Sequence, residues 1–334
     1  MCEYVEVTDL ITLPTAFVDG MRQNMKEAAG PWLAALPGHI DVVLARWNLT
    51  VDGGQVMHGF AAVVLPVLTA DGQEAVLKVG YQDAYTRTEV PALRVWGGRG
   101  AVRLLDSDLS LDLAEDGGVG ALLLERLDPN TSLHRIGDDE GAEITGGILA
   151  KLAAQPTSAE DLTGVLNLQD VAARWVDELP ESWTALGGPC DRSLLDAAVE
   201  VCRTLGPEAH ESLVHIDLHQ ANVLAGTREP WLAIDPQAML ADPAFCLVPF
   251  LRNRWKTVAE AADPHEALMR RFDILTEAAD VDRGRSAAWT LARAVEDLLW
   301  AARHGDNEGV SVPVATAIAE AMLAGMRSAP LGLG

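Results

Sequence analysis

Positive charge is scarce in this chain of 334 residues: 25 Lys and Arg stand against 49 Asp and Glu, a formal net charge of −24. Nucleic acid is thereby excluded as a partner, because its phosphates would be repelled and no basic cluster compensates. Lysine is the rarest cation, present only as Lys26, Lys78, Lys151 and Lys256. Four cysteines, Cys2, Cys190, Cys202 and Cys246, are scattered without C-x-x-C spacing, which excludes a disulfide scaffold and predicts reduced thiols. No stretch reads as an uninterrupted membrane span, and residues 1–6 have neither the basic start nor the apolar core of a signal. The expectation is a cytoplasmic protein with no membrane partner. Internal repeats and low-complexity tracts are also absent. What is present is 49% apolar residues, enough for two lobes with separate cores.

The informative segment is LVHIDLHQAN at 213–222, followed by WLAIDP at 231–236. Asn222 lies five residues after Asp217, and Asp235 thirteen after Asn222. That is the spacing of the kinase loop H-x-D-L-x-x-x-N with its second, metal-binding aspartate. The chemistry explains the spacing. One carboxylate must meet an acceptor hydroxyl while a carboxamide and a second carboxylate offer hard oxygens to Mg²⁺ on the phosphates of ATP. Asp217 is then the catalytic base, and Asn222 and Asp235 the metal ligands. The flanking apolar runs, 212–216 and 231–234, read as short strands. Taken singly, Asp and Asn in a loop are turn formers; together at this spacing they favour catalysis. A weaker reading makes His215, Asp217 and His219, alternating along extended backbone, the zinc ligands of a metal hydrolase. It leaves Asn222 and Asp235 unexplained.

Upstream, AVLKV at 75–79 follows the hairpin signal Asp71-Gly72 and reads as an apolar strand carrying Lys78. This is the form of the kinase V-A-I-K strand, whose lysine grips the nucleotide phosphates; the bland alternative is an edge-strand lysine that discourages aggregation. Glu89 opens a helical pattern ending at Gly97-Gly98 and is placed to pair with Lys78, or merely to favour the helix dipole. Residues 51–61 occupy the place of a phosphate-covering loop without spelling G-x-G-x-x-G; the backbone NH groups of Gly59 and Ala61 are its candidate phosphate contacts, against a simple hairpin turn.

These residues, with DPAF at 242–245 and LRNR at 251–254, resemble the aminoglycoside phosphotransferases, in particular the streptomycin 6-kinase and hydroxyurea phosphotransferase branch. Segments 63–67, 93–105 and 122–127 share the likeness, which spans roughly residues 30–305. It implies an ATP- and Mg²⁺-dependent kinase of a small cationic antibiotic, most plainly streptomycin. Hydroxyurea, another antibiotic and an endogenous amino sugar are the other acceptors, and a nucleotide-binding pseudokinase is the inactive alternative. It also makes residues 125–127 the hinge whose backbone meets adenine, through Glu125 and Leu127. Three positions depart from the branch: Ile216 and Ala221 stand where glycine is usual, and Cys246 where an aspartate anchors the catalytic loop. Asp242 is a candidate to replace that anchor.

The fold class expected is α+β, a two-lobed protein-kinase-like chain with a β-rich lobe over 1–124 and a mainly helical lobe over 125–334. In the first lobe a helix over 21–36 closes at Pro37-Gly38, strands begin near Val42, and an acidic loop spans 106–118. In the second, helices are predicted near 139–154, 168–178, 191–205, 240–262, 264–278 and 284–304. Glu296 and Trp300, four apart on the last of these, share a face that suits a guanidinium, although an Arg293–Asp297 surface pair is the plainer use of that helix's charges. Asp242 and Arg252 are further candidates for contact with the acceptor. The acidic balance would concentrate a cationic substrate.

Overall fold

The computed structural model describes residues 11–53, 56–83, 86–112, 118–157, 162, 164–209, 212–306 and 309–328. It divides into two compact units, residues 1–98 with 102–127 and residues 99–101 with 128–334. Glu125, Arg126 and Leu127 thus fall in the first unit, three residues past the expected boundary.

The first unit contains α1 (Thr15–Met25), α2 (Ala29–Arg46), β1 (Thr50–Val51), β2 (Met57–His58), β3 (Ala62–Leu68), β4 (Glu74–Gln82), α3 (Glu89–Trp96), β5 (Leu104–Asp112) and β6 (Gly118–Glu125). The strands form one antiparallel sheet in the order β1-β3-β4-β6-β5, with β2 pairing β3. Side chains alternate across a strand, and here the alternation separates two tasks. Val63, Leu65 and Val67 of β3 and Ala75, Leu77 and Val79 of β4 face a core completed by Trp32, Leu33, Leu36, Ile40 and Val43 of α2. Lys78, out of phase with that set, pairs with Val64 and Leu122 on the opposite face. A one-residue slip in register would bury the lysine among the leucines. The β3–β4 connection turns at Gly72, whose φ of +81° only glycine adopts at little cost.

The amino-terminal helices depart from expectation. Helix α2 runs through Pro37 and Gly38 to Arg46. An interior proline costs about 3 kcal/mol, whereas each aliphatic side chain fully buried contributes roughly 1.5–3 kcal/mol; Leu36, Ile40 and Val43, all buried, carry the helix past it. By length and composition the stretch Lys26–Arg46 would suffice to cross a membrane, contrary to the expectation that none would. One face of it, Ala29, Trp32, Leu33, Leu36, Ile40 and Val43, lies in the core of this unit, while Val42 is exposed. Strands therefore begin at Thr50, not near Val42, and residues 106–112 of the expected acidic loop belong to β5. The remainder of that loop, residues 113–117, and residues 1–6 lie outside the described residues.

The second unit begins with β7 (Asp128–Ser132) and α4 (Asp138–Ala153), then β8 (Leu166–Asn167), α5 (Leu168–Ala185), α6 (Arg192–Leu205) and β9 (Ser212–His215). Strands β10 (Val223–Ala225), β11 (Trp231–Ala233) and β12 (Ala238–Ala241) follow. The remaining helices are α7 (Val248–Arg252), α8 (Trp255–Ala259), α9 (Pro264–Ala278), α10 (Arg283–His304) and α11 (Val312–Ser328). Two three-stranded sheets, β11-β10-β7 and β8-β12-β9, carry the loop around Asp217. The single helix expected over 240–262 is broken. β12 ends at Ala241, Asp242 caps a 3₁₀ turn Pro243–Cys246, and Arg254 at φ +52° separates α7 from α8. Prolines 243 and 249 each remove a backbone donor and mark helix starts. Helix α11 was not expected at all. Its AVTM-rich composition, with few charges, offers weak periodic contrast to read.

Candidate active site

In the first unit Lys78 Nζ lies 2.6 Å from Glu89 Oε2, with the lysine side chain 13% and the glutamate 4% exposed. The pair joins β4 to the first residue of α3. At such burial, removing either partner deprives the other charge of its ion pair, which is costly. The expected phosphate contacts are less well served. Gly59 donates its N–H to the Ala62 carbonyl at 2.9 Å, closing the β2–β3 hairpin, and the Ala61 carbonyl accepts from Tyr81 N–H at 2.9 Å. The hairpin reading therefore holds for Gly59, whose donor is occupied. Gly54 and Gln55 of the same loop lie outside the described residues. Glu125 is likewise engaged: its N–H donates to the Arg103 carbonyl at 3.0 Å and its carboxylate accepts from Arg103 N–H at 2.8 Å. Arg126 beside it donates to the Val67 and Ala75 carbonyls and pairs with Asp52, tying β3 and β4 to β6.

In the second unit the loop after β9 alternates. Ile216, Leu218 and Gln220 are buried, while Asp217, His219 and Asn222 are partly exposed. Asn222 Nδ2 donates to the Asp217 carbonyl at 3.0 Å and lies 3.5 Å from Asp217 Oδ2. These contacts orient the carboxamide. Ile234 N–H donates to the Asn222 carbonyl at 2.9 Å, so the strand that leads to Asp235 is fastened to the loop. Asp235 itself adopts φ +53°, a left-handed conformation that aspartate tolerates better than most residues and that tends to mark functional turns. Asp217, Asn222 and the strand leading to Asp235 thus belong to one hydrogen-bonded assembly.

His215 binds that assembly together. Its Nδ1 accepts the Asp217 N–H at 3.1 Å, so the ring proton sits on Nε2, which donates to the Ile234 carbonyl at 3.2 Å. The side chain is fully buried, and burial pulls its pKa down to about 4 despite the opposing charge of Asp217. Both nitrogens being engaged, His215 cannot ligate zinc as the His215-Asp217-His219 reading requires. Among the described residues no cluster of three metal-binding side chains occurs. His219 turns its Nδ1 to the Ala221 N–H at 3.2 Å, and burial lowers its pKa too. A histidine whose folded pKa lies below the unfolded value of about 6.5 contributes stability that is complete above that pH and is lost as pH falls through the folded value. Unfolding free energy should accordingly drop between pH 6.5 and 4 by on the order of 3 kcal/mol from His215. Denaturant titrations across that window, with a smaller drop in His215→Asn, test this.

The departures from the resemblance are accommodated. Ile216 is buried and donates its N–H to the Gln237 carbonyl at 2.8 Å, and Ala221 is exposed. Cys246 is buried and its thiol is pushed by burial up to about 12, so it remains protonated and offers no carboxylate-like anchor. Asp242 does not replace it. Its side chain is buried, caps the 3₁₀ turn by accepting Ala244 N–H at 3.0 Å, and pairs with Arg285. Asp242 is therefore engaged by Ala244 and Arg285, and the side chain bonded to the loop backbone is His215, the histidine that opens the H-x-D-L-x-x-x-N motif.

The structure brings Arg252 to Asp217. Its Nη2 lies 3.5 Å from Asp217 Oδ1 and its Nη1 2.5 Å from Asp297 Oδ2. The expected Arg293–Asp297 pair gives way to this one, and Arg293 instead lies over the Phe245 ring at 4.9 Å. Glu296 is partly buried, and burial first, then the charge of Asp297, raises its pKa to about 7. Trp300 is 39% exposed, its ring 4.7 Å from that of His304.

Residues 46–305 match the aminoglycoside/hydroxyurea antibiotic resistance kinase family. A streptomycin 6-kinase of Streptomyces glaucescens is 37% identical over 318 residues, 95% of this chain and 99% of that protein. A hydroxyurea phosphotransferase of Kitasatospora aureofaciens is 38% identical over 316 residues, 94% of this chain and 86% of that protein. In fold, the chain resembles the crystal structure of a spectinomycin phosphotransferase in complex with ADP and spectinomycin, at a TM-score of 0.51 and 14% identity, covering 85% of this chain and 96% of that one. The α+β architecture is that of the protein-kinase-like phosphotransferases, and the chain belongs to the aminoglycoside/hydroxyurea antibiotic resistance kinase family.

Proposed function

We propose that this chain is an ATP-dependent O-phosphotransferase that inactivates a guanidine-bearing antibiotic, streptomycin foremost, by phosphorylating one of its hydroxyls. The observation that carries this reading is the single hydrogen-bonded assembly of Asp217, Asn222 and the strand leading to Asp235. Asp217 accepts the hydrogen bond of the acceptor hydroxyl and takes its proton as the oxygen–phosphorus bond forms and the bond to the leaving ADP breaks. Lys78, oriented by Glu89, holds the nucleotide phosphates. The donor set fits Mg²⁺, which prefers hard oxygens: the Asn222 carboxamide oxygen and the Asp235 carboxylate would hold it, and when bound it neutralises charge on the phosphates. The use of ATP also favours a cytoplasmic location.

The acceptor class rests on the acidic end of α10. Asp297 is engaged by Arg252, which leaves Glu296, next to Trp300 on one helical face, as the carboxylate for an acceptor cation. Glu296 ionises near pH 7, so KM for a cationic acceptor should fall as pH rises through 7. Glu296→Gln should raise that KM about ten- to a hundredfold, the worth of a charge-assisted hydrogen bond, and flatten its pH dependence. Hydroxyurea, which carries no cation at neutral pH, is the second acceptor to test, because the relative of that name is as similar as the streptomycin 6-kinase.

ADP release by the purified protein with ATP and Mg²⁺ against streptomycin, hydroxyurea and a panel of aminoglycosides and amino sugars tests the proposal. Release with streptomycin that disappears in Asp217→Ala supports it. Release only with another compound replaces the acceptor, and ATP binding without release for any compound contradicts the enzymatic reading.

A further inference from the structure

Asp217 stands on a turn between two buried aliphatic residues, and the donors near its carboxylate are all distant: Arg252 at 3.5 Å from Oδ1, and Asn222 at 3.5 Å and His219 at 3.7 Å from Oδ2. None of these is a short bond that would by itself fix the side chain. Of the three donors, Arg252 is the one that carries a permanent charge and is itself fixed by a second carboxylate. Arg252 is itself held. Its side chain is 15% exposed, Nη1 makes a 2.5 Å bond to Asp297, and that carboxylate, 9% exposed, projects from α10. The opposite end of the arginine is equally constrained, because Val248, Pro249, Phe250 and Leu251 of α7 are all buried. Burial disfavours the charge on Arg252, yet Asp297 and Asp217 outweigh it and keep the guanidinium protonated.

We propose that Arg252, gripped by Asp297, is the positioning residue for the catalytic base: a strut from α10 that holds the Asp217 carboxylate toward the acceptor hydroxyl. The inference rests on the reading of Asp217 as base and deepens it. Two carboxylates on one guanidinium divide the work by distance. The short bond to Asp297 locks the arginine, and the longer contact to Asp217 lets the base exchange one donor for the acceptor's hydroxyl without losing its charge partner. Lysine, a point charge with no planar fork, satisfies one of the two carboxylates but not both.

The positioning role is separable from an acceptor-binding one. The acceptor is first fixed as whichever compound the wild-type protein turns over, so that an inactive wild type counts against the proposed function rather than against Arg252. With that acceptor, Arg252→Met should lower kcat about thirtyfold while KM for ATP and acceptor changes less than threefold. Asp297→Asn should lower kcat in the same way but less, Arg252→Lys should restore part of the loss, and the double variant should be no worse than Arg252→Met. Guanidinium ion should rescue turnover in Arg252→Ala. An unchanged kcat with a raised acceptor KM would overturn the proposal and make Arg252 a binding residue. Melting temperatures give a readout that needs no acceptor: the shifts caused by Arg252→Met and Asp217→Asn should fall short of additive in the double variant, whereas strict additivity contradicts the contact. If Arg252→Met fails to fold, Asp297→Asn and Arg252→Lys decide by the same kcat criterion.

Discussion

Asp217→Asn keeps its shape and its turn and loses about 10²–10⁴ in kcat, the range a general base contributes. The carboxamide can still accept a hydrogen bond from the acceptor hydroxyl but cannot take up its proton. Nucleotide affinity should be retained, because the groups assigned to phosphate and metal, Lys78, Asn222 and Asp235, are untouched. Steady-state kinetics alongside ATP binding by calorimetry check this. A variant that binds ATP normally and turns over at the wild-type rate would remove Asp217 from the chemistry.

Lys78→Met should cost nearly as much by a different route. The lysine side chain is mostly buried and ends 2.6 Å from Glu89 Oε2, so its removal takes away the phosphate cation and, with it, the ion-pair partner of a buried carboxylate. kcat/KM for ATP should fall about 10²–10³-fold, from loss of a charged group that stabilises the transferring phosphoryl. Glu89→Gln should give a smaller loss. The two together should be less than additive, as residues acting as one unit are. Stability moves as well: each single variant should melt below the wild type, because breaking a buried pair costs about 3–5 kcal/mol. Kinetics and thermal melts on the three proteins separate this from an edge-strand lysine, whose replacement would change neither.

The parts of the site that could be read from the chain are those whose chemistry fixes a local spacing. Asp217 and Asn222 lie on one turn, Asp235 follows the next hairpin, and Lys78 stands out as a charge inside an apolar strand. Glu89 was legible because a helix start eleven residues on from a strand lysine has few places to put a carboxylate. What was not legible depends on distant packing. His215 looks like a ligand in sequence, and its role as a brace appears only because Ile234, nineteen residues on, brings a carbonyl to its Nε2. Asp242 has the residue type of a site carboxylate, yet an arginine 43 positions away draws it into the interior. Gly59 could not be told from a phosphate-binding glycine until its N–H was found closing a hairpin. The fold shows the same division. Helix α9 occupies Pro264–Ala278, as its pattern predicts, and α10 starts one residue early, whereas α2 overruns Pro37 because the core beneath it outweighs the proline.

The measurement that tests the account most directly is the identity of the product formed from streptomycin, ATP and Mg²⁺ by the purified protein, read by mass spectrometry and ³¹P NMR. A single phosphate monoester on a streptomycin hydroxyl, formed in step with ADP and absent with Asp217→Asn, is the predicted result. Unmodified streptomycin alongside a phosphorylated compound of another class, or a product that forms equally well with Asp217→Asn, would contradict it.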